Sequence, residues 1–226
     1  MQQVCFAFPS ESKKHSVKFS QHVITSFQKD VGPSFQNEHR YKWNLPHSTY
    51  SILNAPKYIS RRKLELAAKI VFKTYWKVIP LDFEFIRDDP NADFTIDFSD
   101  AEHDDLFKQN PRALAYAHLP FNGGANNGTI VFNLDYLWGM KESYKNHKKV
   151  YNFLHVLIHE LGHALGLFHD EHGDTNDVLD PIYSGMLELS EHDIYRLVQM
   201  FGPRIFIHWY HYARWSQWLW VAKRRI

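Results

Sequence analysis

Apolar residues change their spacing several times along this chain, and each change marks a predicted element. Residues 1–40 are polar and mixed, and Gly32, Pro33 and Ser34 read as a loop. They predict a loosely packed extension, with a weak amphipathic stretch over 17–27. Residues 49–53 read as a first strand. Ser60 can cap a helix whose apolar positions Leu64, Ala67, Ala68, Val71, Tyr75 and Val78 follow helical spacing, and Pro80 ends it. Residues 81–86 and 93–98 alternate with period two and read as strands, with a turn at Pro90 and Asn91 between them. Residues 113–119 and 129–133 are two more strands, separated by a Gly-rich loop.

A strongly apolar helix is expected to begin near Val150, burying Phe153, Leu154, Leu157, Ile158, Leu161 and Leu165. Ser190-Glu191-His192-Asp193 has the form of a capping box. It opens a last helix with Ile194, Leu197, Val198 and Phe201 inward, stopped by Gly202-Pro203. Strand, helix, strands, helix and helix in this order predict one α+β domain over 41–203, leaving a 204–226 tail.

The candidate chemistry lies on the apolar helix, in HVLIHELGHALGLFHD. Positions i and i+4 share a helix face, so His159 and His163 can direct imidazole nitrogens at one point. Gly166 can take positive φ and end the helix, so that the chain returns and brings His169 to the same point. Three neutral imidazoles with one open position make a catalytic zinc site. Glu160, between the first two histidines, stands where a carboxylate can take a proton from water.

Composition adds limits. At 226 residues, with 44% hydrophobic and 16% aromatic residues, the chain can bury a full core. A formal net charge of +1 points to no nucleic-acid partner. The single cysteine, Cys5, excludes an internal disulfide framework. The first residues contain too short an apolar run for a signal peptide. The tail is rich in Trp and Tyr and ends on Lys223, Arg224 and Arg225. A C-terminal helix packing its aromatics on the domain, or a disordered tail, is the favoured expectation. Attachment to a membrane surface through 205–226 is the alternative, because histidines and arginines break a clean apolar face.

Ordered along the chain, YKWN, YWKVIPLDF, DFTIDF, ALAYAHLP, HELGHALGLFHD, DPIYSG and LSEHDIYRLVQMFG resemble the catalytic domain of the matrix metalloproteinases. These are the matrixins of the metzincin clan. The resemblance implies a metzincin fold: a mostly five-stranded twisted mixed sheet with three helices, and a cleft between the sheet edge and a C-terminal subdomain. It implies peptide-bond hydrolysis by a zinc-activated water, with His159, His163 and His169 as ligands and Glu160 as general base. The substrate, a protein such as those of the extracellular matrix, would lie extended and antiparallel along Leu114, Ala115, Tyr116 and Ala117. Pro181 and Tyr183 would form the opposite wall. A monomer secreted from the cell is the matching expectation. A silent binding or decoy protein of the same fold is the alternative, and the intact Glu160 argues against it.

The pattern is departed from at several places. Leu179 stands where the methionine beneath the metal is expected, with Met186 as the alternative. Asp170 replaces the usual serine. Of the residues that would hold a second, structural zinc, His103 and Asp105 match, but Tyr116 and Val131 stand at the later positions; His118 could substitute. Gln109, Asn110 and Asn133 replace calcium-binding carboxylates, while Asp104, Asp105 and Asp135 read as loop charges. One catalytic zinc, without structural zinc or calcium, is therefore expected. The inhibitory PRCGxPD motif is absent, and Cys5 lacks its flanking arginine and aspartate, so no cysteine-switch latency is expected. His155 and His172 are read as ordinary helix and loop histidines.

Overall fold

A computed structural model describes residues 4–9, 42–120, 126–169, 177–180 and 182–205. A six-stranded sheet carries the fold. Its strands are β1 (Val4–Ala7), β2 (His47–Ile52), β3 (Asp82–Phe85), β4 (Phe94–Ser99), β5 (Ala115–His118) and β6 (Thr129–Asn133), in the spatial order β1-β5-β6-β4-β2-β3. β2, β3, β4 and β6 pair in parallel, whereas β5 is antiparallel to β6 and to β1. The helices are α1 (Arg61–Trp76), the one-turn α2 (Asp105–Gln109), α3 (Phe153–Ala164) and α4 (Glu191–Phe201).

The sheet has one strand more than the apolar pattern predicts. Val4–Ala7, expected in a loose extension, form β1 against β5: Val4 lies opposite His118, Cys5 opposite Ala117, Phe6 opposite Tyr116 and Ala7 opposite Ala115. The segment alternates Val-Cys-Phe-Ala-Phe, which suits a strand. A strand this short is stable only when paired, and its partner lies more than a hundred positions along the chain. The weak helical stretch over 17–27 lies outside the described residues, as does the tail from 206 onward.

A second difference concerns the start of the helix carrying the histidines. It begins at Phe153 rather than near Val150, because Asn152 caps it: Asn152 Oδ1 accepts from the Leu154 N–H at 3.0 Å. The residues just before it form β9 (Lys148–Asn152), in a three-stranded sheet with β7 (Leu137–Gly139) and β8 (Ser143–Lys145). Asn146 and His147 make the tight hairpin turn between β8 and β9, with φ of 50° and 62°. Three lysines and an exposed Tyr144 leave this hairpin without a readable apolar alternation.

The core lies between the large sheet and helices α1 and α3. Aromatic rings fill much of it: Phe72 stacks on Tyr50 at 3.9 Å and meets Phe83 and Phe94 edge-on at 5.2 and 5.8 Å. The Tyr75 hydroxyl donates to the Ile158 carbonyl at 2.6 Å, joining α1 to α3. The two ends of the domain meet, with Lys42 over the Phe201 ring at 5.5 Å. Arg204 donates to the Ile79 carbonyl at 3.0 Å and to Asp82 at 2.8 Å, with its guanidinium stacked 4.5 Å over Trp76. Among the described residues no helix is long and apolar enough to cross a membrane.

Truncating Phe72 to Ala removes the ring that three neighbours pack against, so Phe72→Ala is expected to cost about 3–5 kcal/mol of stability in urea unfolding. A loss under about 1 kcal/mol would mean that this layer carries no core.

Candidate metal centre

α3 ends in a turn that determines where the third histidine falls. Gly166 has φ 113°. Its N–H donates to the His163 carbonyl at 2.8 Å, and the Leu167 N–H donates to the Gly162 carbonyl at 3.0 Å. This paired closure is the Schellman arrangement, and it reverses the chain after one residue. His169 therefore returns toward the helix face that carries His159 and His163. The Nε2 atoms of His163 and His159 lie 3.0 Å apart, and those of His169 and His159 3.3 Å apart. Ligand atoms of all three lie within 4.8 Å of one another.

The other ring nitrogens explain why these atoms can converge. His159 Nδ1 faces the Val178 carbonyl at 2.7 Å, and His163 Nδ1 faces the Leu167 carbonyl at 2.7 Å. A carbonyl only accepts, so each Nδ1 carries the proton and each Nε2 is left with a bare lone pair. Two bare lone pairs 3.0 Å apart repel unless a cation lies between them. Burial also pushes these imidazoles toward the neutral form: His159 is lowered to about 4, and His163 and His169 well below the usual histidine range. The donor set fits a zinc ion. Among the described residues it is the one group of at least three such side chains close enough to share a metal.

α4 holds this arrangement from below. Ser190 Oγ accepts from the Asp193 N–H at 2.9 Å, and Asp193 Oδ2 accepts from the Ser190 N–H at 3.0 Å. The same Oδ2 also accepts from the Val178 N–H at 2.9 Å, fixing the residue whose carbonyl orients His159. Arg196 donates to the Phe168 carbonyl at 2.8 Å, next to His169. Leu179 is fully buried beneath α3. A methyl group placed on Gly162 would come within 2.6 Å of its Cδ2. Met186 is partly buried, and its carbonyl takes a hydrogen bond from His155 Nδ1, which keeps His155 out of the cluster.

Residues 42–202 match the family model described as Matrixin (Peptidase_M10). The chain belongs to the matrixin family. It is 29% identical to interstitial collagenase B of Mus musculus over 177 residues, covering 77% of this chain and 36% of that protein. To stromelysin-1 of Equus caballus it is 31% identical over 167 residues, covering 72% of this chain and 33% of that protein. The chain thus spans about a third of the length of these relatives. The mixed sheet and helices described above are the metzincin fold of this family.

Glu160 is fully buried beside the histidines, and neither carboxylate oxygen has a hydrogen bond of normal geometry. Burial holds its carboxyl well above the usual range, and the nearby Ala7 amide pulls it partly back. Leu114, Ala115, Tyr116 and Ala117, at the start of and along β5, are all buried. The buried Tyr183 hydroxyl accepts from the Asn152 N–H at 3.2 Å. Pro181, Asp170 and His172 lie outside the described residues. β1 and Phe8 bridge the Leu114 and Tyr183 segments. Leu114 N–H donates to the Ala7 carbonyl at 2.7 Å, and Tyr183 N–H donates to the Phe8 carbonyl at 2.7 Å. Cys5 is buried there, and burial pushes its thiol up, in the direction of the uncharged form.

The side chains expected from the family resemblance at a structural zinc are engaged apart from one another. His103 pairs with Asp100 at 2.6 Å, and Asp105 pairs with Lys108 at 3.1 Å. The Tyr116 hydroxyl donates to Asp104 Oδ2 at 2.7 Å, and His118 lies edge-on to Tyr116 at 5.5 Å. Val131, Phe107, Ala113 and Val4 pack around Tyr116 as a small apolar cluster. Asp104 Oδ1 also caps α2, accepting from Leu106 N–H at 2.8 Å. Asn133 donates to the Ala113 carbonyl at 3.0 Å, Asn110 to the Leu106 carbonyl at 3.1 Å, and Asp135 accepts from the Ala101 N–H at 3.4 Å.

Two contributions to the centre are absent from the sequence reading. The Asp193 and Arg196 support left one trace, two charged residues within an otherwise apolar helix face. The Val4–Phe8 strand left another, its alternation.

The depressed histidines make a pH prediction for the metal-free protein. His155 and His159 are each lowered to about 4, so between pH 4 and the ordinary histidine value the unfolded chain binds more protons than the folded one. Stability is then complete at neutral pH and falls as pH drops through that window, each group contributing on the order of 1 kcal/mol per pH unit. Glu160, Asp97 and the exposed His103, all raised, act in the opposite sense, but five histidines, His118 among them, are lowered. Urea midpoints of chelator-treated protein should decrease steadily from pH 7.5 to pH 5; a flat profile would contradict burial of neutral imidazoles.

Proposed function

We propose that this chain is a zinc-dependent endopeptidase that hydrolyses peptide bonds of extended protein substrates. The observation that carries the reading is the convergence of three Nε2 lone pairs whose orientation is held by backbone carbonyls at Nδ1. His159, His163 and His169 would hold the ion, which supplies a Lewis acid for the scissile carbonyl and lowers the pKa of water. Glu160, next to the cluster and shielded from solvent, takes the proton of the attacking water and gives it to the leaving amide nitrogen. Leu114 to Ala117 on one rim, with Pro181 and Tyr183 on the other, offer backbone groups to a substrate added as a further strand. Leu179 takes the place beneath the metal that methionine holds in the motif, supporting α3 through Gly162.

One zinc per chain is the expected content, without structural zinc or calcium. Tyr116 and Val131 support this, since neither matches the ligands expected there and Tyr116 is bonded to Asp104. The two named relatives, a collagenase and a stromelysin, favour an extracellular matrix substrate and secretion. Membrane attachment through 205–226 remains a secondary reading that rests on composition alone.

A quenched peptide library tests the function. Zinc-loaded protein should cleave members of it, a chelator should stop cleavage, and Glu160→Gln should lower kcat/KM by about 100-fold or more with the zinc retained. Loss of activity together with loss of zinc in Glu160→Gln would leave the carboxylate a structural role. Failure of the wild type to cut any member would favour a silent binding protein. Metal analysis of dialysed protein should give one zinc per chain, and a second, tightly held zinc would restore the structural site.

A further inference from the structure

The strand lying across the candidate centre is held from both sides. On one rim, β1 runs antiparallel to β5, and the Ala7 carbonyl accepts from Leu114 N–H at 2.7 Å. On the other, Phe8 bridges Ile182 in the parallel sense, and its carbonyl accepts from Tyr183 N–H at 2.7 Å. A chain gripped along both edges has a fixed direction and a fixed register. Its direction, antiparallel to β5, is the one expected of a peptide substrate on that edge.

That register places one particular bond over the chemistry. The Phe6 carbonyl lies beside the His169 imidazole, and the Ala7 amide lies beside the Glu160 carboxylate. These two groups belong to a single peptide bond. A hydrolytic site needs the carbonyl it attacks beside the metal ligands, and the nitrogen it releases beside the group that returns the proton. The side chains suit the same placement. Val4, Phe6 and Phe8 pack with Tyr116, while Ala7 turns the other way and is buried in the main core.

We propose that Val4–Phe8 is an internal substrate, and that the chain cuts itself between Phe6 and Ala7. The inference rests on the zinc-peptidase reading of the site. Water adds its oxygen to the Phe6 carbonyl carbon, the bond from that carbon to the Ala7 nitrogen breaks, and the proton taken by Glu160 passes to that nitrogen. The second water proton also ends on that nitrogen, so Phe6 becomes a carboxylate and Ala7 a protonated amine. Until then, β1 fills the edge that any other extended peptide needs, so the first turnover is on the chain itself. The segment through Phe6 then separates, while Ala7 and Phe8 retain their bonds to Leu114 and Tyr183. The same register names a substrate class: an extended peptide with an aromatic residue before the scissile bond and a small residue after it.

The test uses the full chain, prepared in chelator and then given zinc. Before zinc, Cys5 reports on the strand, because it is the one cysteine and is buried within β1. Its alkylation should be about tenfold or more slower than in urea. After zinc, intact mass and N-terminal sequencing should reveal a chain beginning at Ala7, formed at a rate unaffected by dilution, and not formed by Glu160→Gln. In Ala7→Trp the larger side chain should expel the strand, so Cys5 becomes reactive, self-cutting at this bond stops and cleavage of a separate peptide rises.

Zinc-loaded wild type that cleaves a separate peptide yet stays intact at Phe6–Ala7 would overturn the self-cleavage while leaving the peptidase reading in place. So would a Cys5 that reacts as fast as in urea, or a cleavage rate that falls on dilution. Protein that cuts neither itself nor any peptide would remove the peptidase reading, and the self-cleavage with it.

Discussion

The Nδ1 protons of His159 and His163 are held by the carbonyls of Val178 and Leu167, and much of the fold serves to keep those carbonyls in place. Leu167 is held by the turn at Gly166, which takes a φ that any side chain would make costly. Val178 is held through its own N–H by Asp193, whose other bonds cap α4. α3, which carries the first two histidines, is tied to α1 by Tyr75 and pressed on Leu179 through the bare face of Gly162. If either carbonyl shifted, its imidazole could rotate or change tautomer, and the convergence of lone pairs would be lost. The dependence explains why α4, which contributes none of the three histidines, carries buried charges at Asp193 and Arg196.

The parts of the centre that were legible in sequence are those whose geometry is local. His159 and His163 meet because a helix repeats every 3.6 residues, and His169 follows from one glycine turn. The other five strands of the large sheet, β2 to β6, were legible for a similar reason, since alternation is a property of a few consecutive residues. What escaped depends on partners far along the chain. The Ser190–Asp193 capping box could be read, but not the third bond of Asp193 to Val178, because nothing local distinguishes a carboxylate oxygen that accepts once from one that accepts twice. The start of α3 was placed too early because Val150 and Tyr151 are apolar. Only the pairing of β9 with β7 and β8 reveals that they belong to a strand.

Around Tyr116 the departure from the family pattern has a physical consequence. A tetrahedral metal organises a loop by drawing four separated side chains to one point. Here one hydroxyl, donating to Asp104, joins β5 to the start of α2, and Phe107, Val131 and Val4 close over the ring. Asp104 is the residue that makes this economical, since its second oxygen caps the short helix. An apolar cluster with one part-buried hydrogen bond thus ties β5 to the start of α2 without drawing on a metal ligand.

β5 presents the constraint that the centre and the N-terminal strand share. A cleft that binds peptides by strand addition must leave a row of backbone N–H and C=O groups without sheet partners, and such an edge is open to any extended chain. β1 pairs that edge from within the same molecule. Because the local concentration of a tethered strand is high, it outcompetes an unlinked peptide of equal intrinsic affinity. The edge that would select substrates is therefore also the edge that must be cleared before they can enter. A change in the covalent state or the fit of Val4–Phe8 would clear it without dismantling β5.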